Sequence, residues 1–103
     1  MAFKAFISGC ATTALTAAER DLFAAERPCG LILFRRNVEN PGQVQALVSD
    51  FKAAVGTKDV LVLVDQEGGR VQRLRPPHWL EMPPAQVFGD LYACLLYTSP
   101  SPR

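Results

Sequence analysis

The residues able to do chemistry concentrate in one stretch, Asp65-Gln66-Glu67-Gly68-Gly69-Arg70, followed by Arg73 and Arg75. It follows directly on the apolar run Val60 to Val64. A carboxylate at such a strand end can accept two hydrogen bonds from paired hydroxyls or hold a cation. Arginines offer planar donors suited to carboxylates, phosphates or sugar oxygens. Gly68 and Gly69 allow the backbone to turn with positive φ and let a ligand or another loop come close. The set is suited to binding something polar.

The individual residues divide. Asp65 is read as functional, because strand ends are where barrel enzymes place such groups. Glu67 and Arg70, three apart across a glycine turn, are read as a mutual pair supporting the loop. Two carboxylates without further oxygen ligands are too few for a metal, so none is expected. The glycine pair lacks the spacing of either common phosphate-binding loop. His78, the single histidine, stands beside Trp79 and is read as a packing residue. Arg35 and Arg36 stay open between rim contact and solvated charge.

The elements that must position these groups follow from periodicity. Residues 3 to 9 read as a strand. Thr16-Ala17-Ala18-Glu19 has the form of a capping box, and the helix it opens carries Leu15, Ala18, Leu22 and Ala25 on one face before Pro28 stops it. Leu31 to Phe34 is a continuous apolar run, of the kind found in strands covered on both faces. A second helix has Asn40 as N-cap, Pro41 at its first position, and Val44, Leu47, Val48, Phe51 and Val55 on one face, with Gly56 closing it. Val60 to Val64 is the third strand. This β-α-β-α-β order predicts parallel strands whose carboxyl ends share one rim, so Arg35-Arg36-Asn37 and the Asp65 loop should meet there. After Pro77 the pattern fades into a proline-bearing loop, and Tyr92 to Tyr97 fits a short strand or helix alike.

Composition excludes several classes of function. With 103 residues and 49% hydrophobic content, the chain has room for one domain at most. A net charge of +1 gives no field that would favour nucleic acid. No apolar run approaches the roughly 18 residues of a membrane span. Ile7-Ser8-Gly9-Cys10 has the look of a lipoprotein cleavage box, but the apolar stretch before it is shorter than the roughly 7 residues a leader needs. Three widely spaced cysteines suggest free thiols in a reducing compartment, hence the cytoplasm.

The strings "GLILFRRN" at 30 to 37, "VLVDQEGGRVQRLRPP" at 62 to 77 and "PPAQVFG" at 83 to 89 resemble the N-terminal part of the bacterial β-N-acetylhexosaminidases of glycoside hydrolase family 3, over roughly residues 5 to 91. The resemblance implies a (β/α)₈ TIM barrel of α/β class, of which this chain carries three βα units in truncated form. It implies a retaining enzyme that removes terminal non-reducing β-N-acetylglucosamine from peptidoglycan-derived muropeptides, without a cofactor, as a cytoplasmic monomer when full-length. The family's sugar-binding aspartate corresponds to Asp65 and its sugar-binding arginine to Arg73. The family's lysine-histidine motif, acid/base histidine loop and nucleophilic aspartate have no counterpart here, so no catalytic residue is assigned in this chain. Arg35, where a small residue is expected, and His78-Trp79 are smaller departures.

Residues 1 to 92 are accordingly read as the N-terminal part of that barrel. Residues 93 to 103, with "CLLYTSPSPR", are read as a non-native tail. The alternatives from other classes are a non-catalytic sugar-binding or scaffold domain and a β-glucosidase of the same wider family.

Overall fold

The computed structural model describes residues 3 to 98, except that the side chains at 85 and 95 to 98 are not described. The chain divides into two compact units, Met1–Asp65 and Gln66–Arg103.

The first unit contains β1 (Lys4–Ser8), α1 (Ala17–Glu26), β2 (Pro28–Leu33), a 3-10 turn (Arg35–Asn37), α2 (Pro41–Val55) and β3 (Leu61–Val64). Its strands form one sheet in the order β1-β2-β3, with both pairings parallel. That is the arrangement expected from alternating strands and helices joined by short connections.

Local chemistry sets the helix ends. The Thr16 hydroxyl accepts from the Glu19 N–H at 3.1 Å, and Glu19 Oε1 accepts from the Thr16 N–H at 2.9 Å, completing the expected capping box. Burial raises the Glu19 pKa, but the hydrogen bonds it accepts from Thr16 and Ala11 outweigh that and leave it below the usual carboxylate value. Arg27 ends α1 in the left-handed region, at φ 50°, which is costly for a residue with a Cβ. Its side chain compensates by donating to the Val55 carbonyl and lying 5.2 Å over the Phe3 ring, so it ties the ends of both helices together. α2 starts as expected, with Asn40 Oδ1 accepting from the Gln43 N–H at 2.8 Å, and Gly56 caps its end.

One core joins both helices to one face of the sheet. Phe23 and Phe51 meet edge to face at 5.2 Å, surrounded by Leu15, Leu31, Leu33, Leu47 and Val55. Leu47, Phe51 and Val55 of α2 are buried as their spacing predicts. α1 is rotated from the expected face: Leu22 is 53% exposed, Ala18 and Ala25 are exposed, and Phe23 is the helix's buried residue.

The expected cover on both sheet faces is also corrected. Leu31 and Leu33 lie beneath the helices, whereas Ile7, Leu61 and Leu63 are exposed and pair across the sheet with Gly30 and Ile32, on the other face. Gly30 is squeezed there. A Cβ on it would stand 3.1 Å from both Leu61 Cβ and Leu61 O and 3.3 Å from Ile7, so glycine is what lets the three strands approach.

An apolar edge strand with an exposed face is a template for self-association. The chain is expected to show concentration-dependent association in sedimentation, and Leu63→Lys to suppress it while changing stability by no more than about 0.5 kcal/mol. Unchanged association of the lysine variant would show that this edge is not responsible.

The second unit contains the antiparallel hairpin β4 (Gln66–Gly68) and β5 (Val71–Gln72), then α3 (Ala85–Thr98). Helix α3 settles the open reading of Tyr92 to Tyr97, and on it Val87, Phe88, Leu91 and Tyr92 are exposed. It runs on past residue 93, where the tail reading begins; residues 99 to 103 of that tail lie outside the described residues.

Candidate functional site

The carboxyl rim of the first unit's sheet is built around Asn37, which is fully buried. Its Nδ2 donates to the Cys10 carbonyl at 3.0 Å, to Cys10 Sγ at 3.3 Å and to the Thr12 carbonyl at 2.7 Å. Its Oδ1 accepts from the Phe34 N–H at 2.9 Å. One amide therefore fastens the loop leaving β1 to the turn leaving β2.

Gln43 extends the lock, because its Nε2 donates to the Thr13 carbonyl at 2.7 Å and to the Asn37 carbonyl at 2.8 Å. Burial pushes the Cys10 thiol pKa up, Glu19 adds to this, and Arg36 opposes it. A protonated thiol suits Sγ's position between the Asn37 donor and the Thr12 carbonyl, 3.7 Å away.

Asp65 follows β3 at this same rim and is half-buried. The residue before it, Val64, pairs with Leu33, so Asp65 and Phe34 leave neighbouring strands side by side. The expected convergence of the "RRN" turn and Asp65 at the sheet's carboxyl end is therefore present within this unit. Arg36 contributes its Nε to the Cys10 carbonyl at 3.2 Å and lies 4.8 Å over the Phe34 ring.

Arg73 belongs to the second unit, directly after β5, and is half-buried. The loop that carries it is braced by glutamines whose role was not read from the sequence. Gln72 is 2% exposed; it donates to the Leu74 and Leu80 carbonyls, both at 2.8 Å, and accepts from the Met82 N–H at 2.9 Å. Gln66 clasps the backbone of Leu74 from the other strand, donating at 2.8 Å and accepting at 3.1 Å. A pair of amides flanking a glycine turn was the available signal, since each can satisfy both a carbonyl and an N–H.

Gly68, at φ 91°, has no room for a side chain: a Cβ would stand 2.0 Å from the Pro83 carbonyl oxygen. Glu67 and Arg70 are exposed and form no ion pair among the described residues, which corrects their reading as a mutual pair. They instead line a cavity of about 330 Å³ with Gly68, Gly69, Val71, Glu81 and Pro84. Among the described residues no group of three or more His, Cys, Asp or Glu is placed to hold a metal ion, and no helix is long and apolar enough to cross a membrane.

A parallel βα segment with a locked carboxyl rim, ending in an aspartate and followed by a braced Gly-Gly-Arg loop, defines an α/β protein of the kind that binds ligands at strand ends. No protein-family model matches the chain. Over 85 residues it is 46% identical to a β-hexosaminidase of Stenotrophomonas maltophilia strain R551-3 and 44% identical to one of Xanthomonas campestris pv. campestris strain B100. Each match covers 82% of this chain and 25% of the relative, so the chain spans about a quarter of their length.

Its structure is similar to NagZ from Neisseria gonorrhoeae in complex with N-trifluoroacetyl-D-glucosamine, with TM-score 0.79, 32% identity, and coverage of 89% of this chain and 26% of that one. It is also similar to a glycoside hydrolase family 3 β-N-acetylglucosaminidase from Paenibacillus sp. str. FPU-7, with TM-score 0.71, 28% identity, and coverage of 82% and 16%. Proteins named β-hexosaminidase are thus homologues of this chain over 85 residues, and its mixed α/β fold resembles the N-terminal part of NagZ.

Proposed function

We propose that this chain corresponds to the first βα units of a (β/α)₈ glycosidase that removes terminal non-reducing β-N-acetylglucosamine with retention, acting on peptidoglycan-derived muropeptides as a cytoplasmic monomer. Residues 1 to 92 form that part and residues 93 to 103 a non-native tail. Asp65 and Arg73 grip the sugar, Asp65 accepting from ring hydroxyls and Arg73 donating to ring oxygens. The observation that carries this reading is the placement of Asp65 at the carboxyl end of a parallel strand, inside a segment 46% identical to a β-hexosaminidase.

Retaining hydrolysis needs a nucleophile and an acid/base on opposite sides of the scissile bond. In the family resemblance neither maps onto this chain, so it is expected to bind the sugar and leave the bond intact. The test uses ligand-observed saturation-transfer NMR with methyl N-acetyl-β-glucosaminide at low micromolar protein. Asp65→Asn is expected to weaken binding by about tenfold or more, through loss of charge-assisted hydrogen bonds, and Arg73→Met by a similar factor. Binding indifferent to both substitutions, or turnover of a chromogenic N-acetylglucosaminide by pure chain, would overturn the assignment.

A further inference from the structure

Arg73 stands in a bend directly after β5, beyond the last ladder pair of the hairpin at Gln72. It is half-buried and its Nε is shielded from solvent, so the root of the guanidinium is enclosed and its direction follows the backbone that carries it. A strand of two residues does not fix what lies past its end. Other groups have to hold the backbone at Arg73.

Two side-chain amides do this, and they meet on the next residue. Gln66 and Gln72 are cross-strand partners, and both donate through Nε2 to the Leu74 carbonyl, each at 2.8 Å. Gln66 Oε1 also accepts from the Leu74 N–H at 3.1 Å. The N–H and both lone pairs of the carbonyl at Leu74 are therefore taken up by side chains instead of by a strand. Gln72 reaches further, to the Leu80 carbonyl at 2.8 Å and the Met82 N–H at 2.9 Å, while the Met82 carbonyl accepts from the Gly69 N–H at 2.8 Å. On the other side of Arg73, Arg75 turns back and donates through Nη1 to the Gln72 carbonyl at 3.3 Å. One amide would suffice to close the loop, yet two converge on the single residue that follows Arg73.

We infer that Gln66 and Gln72 are positioning residues of the sugar site, which aim the Arg73 guanidinium by fixing Leu74. This rests on the sugar-binding reading of Arg73 and adds to it the two residues through which that side chain is directed. A donor already aimed in the free chain loses less freedom when the neutral N-acetylated sugar arrives, and the difference shows as affinity. The amides serve backbone groups and leave contact with the sugar to Arg73. Their removal should therefore cost less than removal of Arg73, and should cost little once Arg73 is gone.

The experiment is a double-mutant cycle on the 103-residue chain, read by saturation-transfer titration with methyl N-acetyl-β-glucosaminide. Gln66→Met, at an exposed position, removes both bonds to Leu74 at nearly constant length and is expected to weaken binding about threefold. Gln72→Met, at the buried position, is expected to weaken it about fivefold. In the Arg73→Met background neither should change affinity by more than about 1.5-fold. In the Asp65→Asn background each should keep its full factor, because β3 and not the amide pair places that carboxylate. In the free chain, the ¹⁵N heteronuclear NOE of the Arg73 and Leu74 amides should fall in both variants, as their backbone gains fast motion.

Circular dichroism superposable on wild type shows that a variant is folded, and Gln66→Met carries the test if Gln72→Met is not. Equal losses with and without Arg73 would show that the amides only keep the loop folded, and would overturn the positioning role while leaving sugar binding by Arg73 intact. Unchanged affinity in both single variants would overturn it in the same way. Failure of wild type to bind the sugar, or binding indifferent to Arg73→Met, instead removes the reading of Arg73 itself, and this inference with it.

Discussion

Phe51→Ala is expected to destabilise the first unit by about 3–5 kcal/mol, the range for deleting a buried aromatic ring. Phe51 is 0% exposed and stands edge to face with Phe23 at 5.2 Å, so the substitution removes both apolar burial and the aromatic contact. The space left would be lined by Phe23, Leu31 and Leu47, which belong to three different elements. A void between packed elements cannot close without moving one of them, which places the cost at the upper part of the range. Amide hydrogen exchange provides the readout. Protection in β2 and α2 should fall together, and by a similar factor, because one core holds both. Loss confined to α2 would show that Phe51 stabilises its own helix and not the sheet beneath it.

Asn37→Ala is expected to have the second largest effect on the fold. The amide is buried and serves the carbonyls of Cys10 and Thr12 and the N–H of Phe34. Alanine leaves these groups without their partner, at about 1–3 kcal/mol for each one that water cannot reach. Exchange of the Phe34 amide should accelerate by at least about thirtyfold, equivalent to roughly 2 kcal/mol, while the distant α1 amides change less. Asn37→Asp separates the two halves of the role. A carboxylate can still accept from the Phe34 N–H but cannot donate to the two carbonyls, so it should protect Phe34 partly and still release the loop after β1. If alanine leaves Phe34 protection unchanged, the lock on this rim lies in Gln43 instead.

Several elements were legible in the order of residues because short-range chemistry decides them. The Thr16 to Glu19 capping box, the Asn40-Pro41 start and Gly56 end of α2, and the buried Leu47, Phe51 and Val55 stripe all follow from groups within one or two helical turns of each other. The face of α1 was not legible. Two of its four expected core residues are alanines, which bury too little area to set a helix's rotation, and Leu15 precedes the helix and so does not share its period. Phe23 has more surface to bury, and it finds Phe51, 28 positions later in the chain, which no local pattern contains.

The strands show the same limit from another side. A continuous apolar run records that both faces of a strand favour apolar contact, but not what supplies the cover. In this structure the helices cover Leu31 and Leu33, while Leu61 and Leu63 are exposed on the other face. The pairing expected between Glu67 and Arg70 failed for a related reason. Three residues of separation brings side chains together on a helix, but here a Gly68-Gly69 turn lies between them, with Gly68 close against Pro83, and both exposed residues line a cavity without pairing among the described residues.

The residues alone determined the parallel βα order, the helix ends and the arrival of Asp65 at a strand's carboxyl end, since each depends on near neighbours and on the apolar period. They also carried the family likeness through the Asp-Gln-Glu-Gly-Gly-Arg string. Only the tertiary structure decided that Asn37 and Gln72 are buried clasps, that Arg36 is anchored while Arg35 is not, and which face of α1 meets the core. Asn37 and Arg36 depend on Cys10, 27 and 26 positions away, and the face of α1 on Phe51, and such partners become neighbours only after the sheet and its helices have packed.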